Sequence, residues 1–259
     1  MSINLDNIKE IFHNNKEVKK IEDSNGDIIW GSWDAFPYRR LEYLDFNGDQ
    51  YINTRHYVSV GFYYLQCMLT TSDTAWRYIF GTNNNGFRTF FQQVENGDIG
   101  WRLKDISAAS TSTTVPYNTK LELRFRNYAT NNTSGRYWFA IQNLETNTQI
   151  AGQYYNNSTY AKNFNDTTQR NTISIGMNHY GNNVWGNPEN RFKGRIYNFY
   201  KRSGSDATDK VMDAYPCQRK SDGVCGLYDI LTNEFWPCLG TNLTTCGGPV
   251  IDEYWDLTA

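Results

Sequence analysis

Along most of the chain, apolar and polar side chains alternate with a period of two. In "KLELRFR" (120–126), Leu121, Leu123 and Phe125 alternate with Glu122, Arg124 and Arg126. That period turns one face to a core and the other to water, as in antiparallel strands rather than doubly buried parallel ones. Similar runs recur at 57–70, 76–82, 87–94, 99–103, 136–143, 172–178 and 191–202. Between them stand "TNNNG", "ENGD", "ATNNTSG" and "HYGNN". Clusters of Asn and Gly reverse a chain because both tolerate positive φ. Many strands at this spacing, with no helical pattern between them, predict an all-β sandwich or barrel. The reversal in "YRRLEYLDFNGDQYINT" (38–54) hinges two strand-like runs on Asn47-Gly48. That dipeptide suits a two-residue turn, so a β-hairpin is predicted there.

The first thirty residues read as a separate unit. "NIKEIF" and "EVKKIE" flank the turn "HNNK", and "DSNGD" leads into "IIWGS". Three strands this short bury too little to stand alone. "GSWDAFP" (31–37), punctuated by Gly and Pro, separates them from the remainder of the chain. The expected organisation is an attachment or oligomerisation segment at 1–32 and a sandwich domain at 33–259. Ile8, Ile11, Phe12, Ile21, Ile28, Ile29 and Trp30 are the candidate assembly contacts, since three strands cannot hide that much apolar surface. Packing against the chain's own sandwich is the alternative.

Composition sharpens the picture. Nineteen Tyr, fourteen Phe and eight Trp make 16% of the chain aromatic, a bias that favours twisted antiparallel sheets. A net charge of -2 with no basic face argues against a nucleic-acid partner. No window approaches the ~18 apolar residues of a membrane span. "MSINLDNIKE" lacks the basic start and apolar run of a secretory signal, so synthesis and retention in a cytosol, with release by lysis, are expected. Cys217, Cys225, Cys238 and Cys246 follow C-x7-C-x12-C-x7-C, without the closely spaced pairs of zinc sites. Cys67 makes the count odd, and buried reduced thiols are expected. His13, His56 and His179 add no ligand pair.

The two ends of the chain resemble a known family. "YRRLEYLDFNGDQYINT" resembles the opening strands of laminin-G-like, concanavalin-A-like sandwich domains of bacteriophage structural proteins, especially of gut-bacterial phages. "RFKGRIYNFYKR" followed by "DAYPCQRKSDGVCGLYDILTNEFW" resembles their closing strands, and "VKKIEDSNGDIIWGS" resembles short amino-terminal segments of phage appendage proteins. Between residues 57 and 175 the likeness is one of style. The resemblance implies a two-sheet antiparallel jelly roll on a head fibre, tail fibre or other virion surface protein, assembled in host cytoplasm. It implies other virion proteins as partners, a homo-oligomer with a trimer favoured, and a bacterial surface glycan as ligand. A structural decoration subunit without ligand is the first alternative, and a glycan-degrading enzyme the second.

Three chemistries come into question. Retaining glycosidases of this fold carry E-x-D-x-E or E-x-D-x-x-E, which places two carboxylates across the scissile bond. Neither motif occurs, nor does G-x-S-x-G, so no catalytic residues are assigned. In "DSNGD" and "DFNGD", Asp23, Asn25 and Asp27, and Asp45, Asn47 and Asp49, have the first three spacings of a calcium loop. Positions six and twelve are Ile28 and Asp34, or Gln50 and His56, so both read as turns. No cofactor is assigned, and calcium held by scattered rim ligands stays open. Lectin sites pair a ring that stacks on a sugar with amides that bind its hydroxyls, on loops held by a rigid sandwich. Tyr180, Asn182, Asn183, Trp185 and Asn187 in "MNHYGNNVWGNPENR" (177–191) form the first glycan-binding candidate, and Trp76, Arg77 and Asn84 the second. The competing reading is that Trp76 and Trp185 plug the sandwich ends while the Asn residues turn the chain.

Overall fold

The computed structural model describes residues 37–71, 76–84, 87–94, 97–103, 112–129, 135–157, 172–177, 179–180, 184–185, 190–203 and 209–251. Of residues 1–36 it describes 11–13, 16–18, 20–22 and 28–31, and there, as at some later strand ends, the backbone alone. In that first part, β1 (Ile11–His13) pairs with β2 (Lys16–Val18), and β3 (Lys20–Glu22) with β4 (Ile28–Gly31), both antiparallel. Ile11 and Phe12 fall on β1, Ile21 on β3, and Ile28, Ile29 and Trp30 on β4. Ile8 lies outside the described residues, as does the "DSNGD" turn.

The rest of the first half holds β5 (Tyr38–Arg40), β6 (Leu44–Asn47), β7 (Tyr51–Tyr57), β8 (Gly61–Leu69), β9 (Arg77–Asn84), β10 (Phe87–Gln93), β11 (Ile99–Leu103) and β12 (Ser112–Thr113). The second half adds β13 (Leu121–Ala129), β14 (Gly135–Asn143), β15 (Thr148–Asn157), β16 (Thr172–Ile175), β17 (His179–Tyr180) and β18 (Val184–Trp185). It ends with β19 (Lys193–Arg202), β20 (Lys210–Arg219), β21 (Cys225–Asp229) and β22 (Glu234–Leu239). The fold is all-β and overwhelmingly antiparallel. Among the described residues no helix is long and apolar enough to cross a membrane.

Two runs of ladders organise these strands. The first passes β15–β14–β13–β8–β19–β20–β21–β22. The second passes β22–β7–β16–β9–β10–β11–β12. Strand β22 belongs to both, with Trp236 opposite Leu227 and Cys238 opposite Ile52. The inward rings of the two runs meet. Phe139 of β14 stands 5.5 Å from Phe91 of β10 and stacks on Trp101 of β11 at 6.0 Å, while Phe80 of β9 lies 6.3 Å from Phe199 of β19. Each such ring removes roughly 150–250 Å² from water, on the order of 4–6 kcal/mol of gross stabilisation. One polar tie crosses the same layer, Trp101 Nε1 donating to the Tyr155 hydroxyl at 3.0 Å.

The turn at Asn47-Gly48 forms, but the predicted hairpin does not. Gly48 takes φ +102°, and the Asp49 amide donates to Asn47 Oδ1 at 3.0 Å. The flanking strands then part: β6 pairs with β19, whereas β7 pairs with β16 and β22. Gln50 explains the difference. It is buried, its Oε1 accepts from the Asn47 amide at 3.0 Å, and its Nε2 donates to the Thr241 carbonyl at 3.0 Å. The corner is therefore tied to the far end of the chain instead of to its own partner strand.

All five cysteines are free and buried. Burial pushes the Cys67 thiol far up. For Cys225, contact with the Cys246 thiol pushes in the same direction, followed by burial. They pack as small apolar groups. Replacing a ring of the first run that packs on rings of the second tests this core. Phe139→Ala is expected to cost about 3–5 kcal/mol, read as a lowered denaturation midpoint with near-native circular dichroism in water.

Candidate functional site

With Leu121, Leu123 and Phe125 committed to the core, Glu122, Arg124 and Arg126 must point the other way along β13. Register then assembles the outer face. Gln66 of β8 lies opposite Glu122 and Asn198, and Tyr64 lies opposite Arg124 and Tyr200. A register shift between Ile196 and Asn198 in β19 turns two consecutive side chains, Tyr197 and Asn198, to that face. With Arg40, Glu42, Lys120, Glu145, Arg202, Lys210 and Tyr215 they line an open groove of about 630 Å³.

Two buried carboxylates hold this surface from beneath. Glu122 Oε2 accepts from the Tyr200 hydroxyl at 2.8 Å and from Gln66 Nε2 at 3.1 Å, and its Oε1 accepts from Arg124 Nε at 2.7 Å. Asp213 accepts from Asn198 Nδ2 at 3.1 Å and from the Tyr215 hydroxyl at 3.0 Å, and pairs with Lys210. Gln66 and Asn198 thus present fixed amides at the groove. Tyr64 and Tyr200 stack at 4.4 Å with planes 6° apart. Buried charge of this kind is tolerated because every carboxylate has several donors.

The phenols at the groove are held protonated. Burial, followed by the Glu122 carboxylate, pushes Tyr200 well above the usual phenol range. Burial and then Asp213 push Tyr215 up to about 12. Burial also raises Tyr64 and Tyr197, although Arg202 and Arg195 respectively pull the other way. Lys120 shifts downward because partial burial disfavours its ammonium, against an opposing pull from Glu42. The surface offers hydroxyl oxygens whose protons already go to Glu122 and Asp213, with amides, rings and a few cations.

The loop candidates fare unevenly. Trp76 is exposed, at 43%, whereas Arg77 is buried at 6% and donates to the Arg191 carbonyl at 2.9 Å. Asn84 ends β9 opposite Phe87. Tyr180 pairs in parallel with Asn83 of β9, and His179 lies opposite Trp185 in the β17–β18 hairpin. The two predicted segments are thus backbone neighbours along β9. Asn182, Asn183 and Asn187 lie outside the described residues, and Asn84, Tyr180 and Trp185 are described by backbone alone. In the "DFNGD" turn, Asp45 lies 4.0 Å from Arg195, and Asp49 Oδ2 accepts from Thr241 at 3.1 Å. Among the described residues no group of His, Cys, Asp or Glu is arranged to hold a metal ion.

Sequence reasoning looked for rings on loops and missed the groove, whose rings stand on strands. The signal was present in the polar positions of "KLELRFR" and in the Tyr-Asn-Phe-Tyr run at 197–200. Compared with known protein families and with curated proteins, the chain matches no family and no curated protein.

Two outcomes are expected from the buried carboxylates and raised phenols. Glu122→Ala strands the donors of Tyr200, Gln66 and Arg124 and is expected to cost about 2–3 kcal/mol by chemical denaturation. A phenol whose pKa is raised in the folded state holds its proton more tightly there. The stability it contributes is complete below the ordinary phenol value near 10 and is lost as pH climbs through the folded value. Unfolding free energy is therefore expected to fall from about pH 8.5, where the raised thiols ionise in the unfolded chain, and more steeply beyond about pH 10, with ultraviolet absorbance reporting late phenolate formation. Glu122→Gln should bring part of that absorbance change to lower pH.

Proposed function

We propose that the chain is a non-enzymatic adhesion module: a two-sheet, concanavalin-like jelly roll whose outer groove binds bacterial surface glycan. The observation that carries this reading is the groove itself. The half-buried rings of Tyr197 and Tyr215 line it and offer apolar surface to a pyranose, and Gln66, Asn198, Tyr200 and Tyr215 offer polar groups aligned by buried carboxylates. Glu122 and Asp213 lie under the surface and already accept several hydrogen bonds, while Glu42 and Glu145 line the groove itself; cleavage would require such a pair to flank a scissile bond.

The resemblance of the chain ends to phage sandwich domains supports a place on the virion surface, in a head fibre, tail fibre or other appendage. The partners in this reading are other virion proteins, and the assembly is a homo-oligomer, with a trimer first among the symmetric choices. The segment 1–32 is the attachment element. Weak contacts repeated over many copies suffice for firm adhesion, because linked sites bind at high effective concentration.

The decisive measurement is an array of bacterial capsular and cell-wall polysaccharides probed with the full chain and two variants. Retention is expected on a subset of glycans, weakened about tenfold by Tyr197→Ala, which removes one ring from the groove. Loss with Trp185→Ala and not with Tyr197→Ala would move the site to the loop rim. A blank array with intact particle incorporation would make the protein structural only, and release of new reducing ends would make it an enzyme.

A further inference from the structure

We propose that the groove's ligand is an acidic polysaccharide, one that carries carboxylates along its chain; this rests on the glycan-adhesion reading and specifies its substrate class. The first ground is a contrast among the groove's cations. Lys210 at the groove, like Arg124 beside it on β13, has an internal counter-charge, Asp213 for the lysine and Glu122 for the arginine. Arg40 and Lys120 form no ion pair with any described carboxylate. Each is set over a tyrosine ring instead, Arg40 at 5.1 Å from the Tyr215 centroid and Lys120 at 4.5 Å from that of Tyr197. Glu42 and Glu145 also line the groove. Glu145 accepts from the Lys120 main-chain amide at 3.2 Å, and Glu42 acts on the Lys120 ammonium from beyond ion-pair distance.

Partial burial disfavours the Lys120 ammonium by more than Glu42 restores, so a carboxylate brought to its side gains more there than a neutral group does. The chain as a whole carries -2, so this local preference is not a by-product of a basic protein.

The second ground is extent. Cross-strand register sets Tyr154, Trp138, Arg126, Phe62 and Arg202 opposite one another in a row over β15, β14, β13, β8 and β19. Trp138 stacks on Tyr154 at 5.9 Å, and the Arg126 guanidinium lies 4.2 Å over the Phe62 ring. Five strands make a row of about 19 Å, leading out of the groove at Arg202. The rings of Tyr154 and Trp138 and the guanidinium groups of Arg126, which covers the buried Phe62, and Arg202 match a polymer of sugars with acidic substituents over that length. A single small anion would use one end of it.

The test is titration calorimetry of the full chain with polygalacturonate, alginate, hyaluronan and polysialic acid, each beside its methyl-esterified, uncharged form. At least one acid is expected to bind at least about tenfold more tightly than its ester, with affinity falling as salt is added. Lys120→Met and Arg40→Gln should each weaken that binding about tenfold. Equal affinity for acid and ester would overturn the acidic assignment and leave glycan adhesion standing. So would failure of every acid alongside retention on neutral glycans, whereas failure of both classes would remove the adhesion reading as well. Binding of dextran sulfate or duplex DNA as tight as that of the best uronate would reduce the site to a general polyanion surface. Acid binding untouched by both substitutions would place it elsewhere.

Discussion

Everything on the outer surface depends on the rings packed between the two runs of ladders. Phe139 meets Phe91 and Trp101, and Phe80 meets Phe199, so the inward positions of β14, β10, β11, β9 and β19 are fixed. Because strand side chains alternate strictly, fixing one face leaves no freedom on the other. A slip of one residue in β13 would send Glu122 into the aromatic layer and Leu123 into water. The core thereby specifies which residues form the groove, although none of its rings touches it.

The groove shows how a sheet surface becomes a rigid site without loops. Glu122 and Asp213 are almost wholly buried, which an isolated carboxylate does not tolerate. Each is surrounded by donors contributed by neighbouring strands, and each orients those donors in return. Removing a carboxylate would cost order as well as stability, since Gln66, Asn198, Tyr200 and Tyr215 would lose the group that aligns them. Preorganisation of this kind reduces the entropy lost when a flexible ligand binds.

Most strands were legible because alternation is a local property. The runs expected at 87–94, 99–103 and 136–143 appear as Phe87–Gln93, Ile99–Leu103 and Gly135–Asn143. Strand β15 was not anticipated: "TQIAGQYYNN" mixes Gln, Gly and Ala with its few apolar residues, and its pairing with β14 supplies what its propensity lacks. The cysteines were read as buried thiols from spacing and odd number, and the five are buried and free. The groove was hidden because it depends on register between strands far apart in the chain. Glu122 and Tyr200, 78 positions apart, are joined by one hydrogen bond.

The two echoing turns divide local from tertiary information most clearly. "DSNGD" and "DFNGD" both announce a reversal, since Asn-Gly relieves the steric cost of positive φ wherever it stands. The first joins the paired strands β3 and β4, whereas the second separates β6 from β7. Sequence alone determined that the chain is antiparallel β, where it turns, and which face of most strands is apolar, because these rest on neighbours a few residues away. Tertiary structure decided which strands meet, that Gln50 locks a corner, and that Glu122 and Asp213 anchor a groove, because those contacts join residues with no signal linking them until the chain has folded.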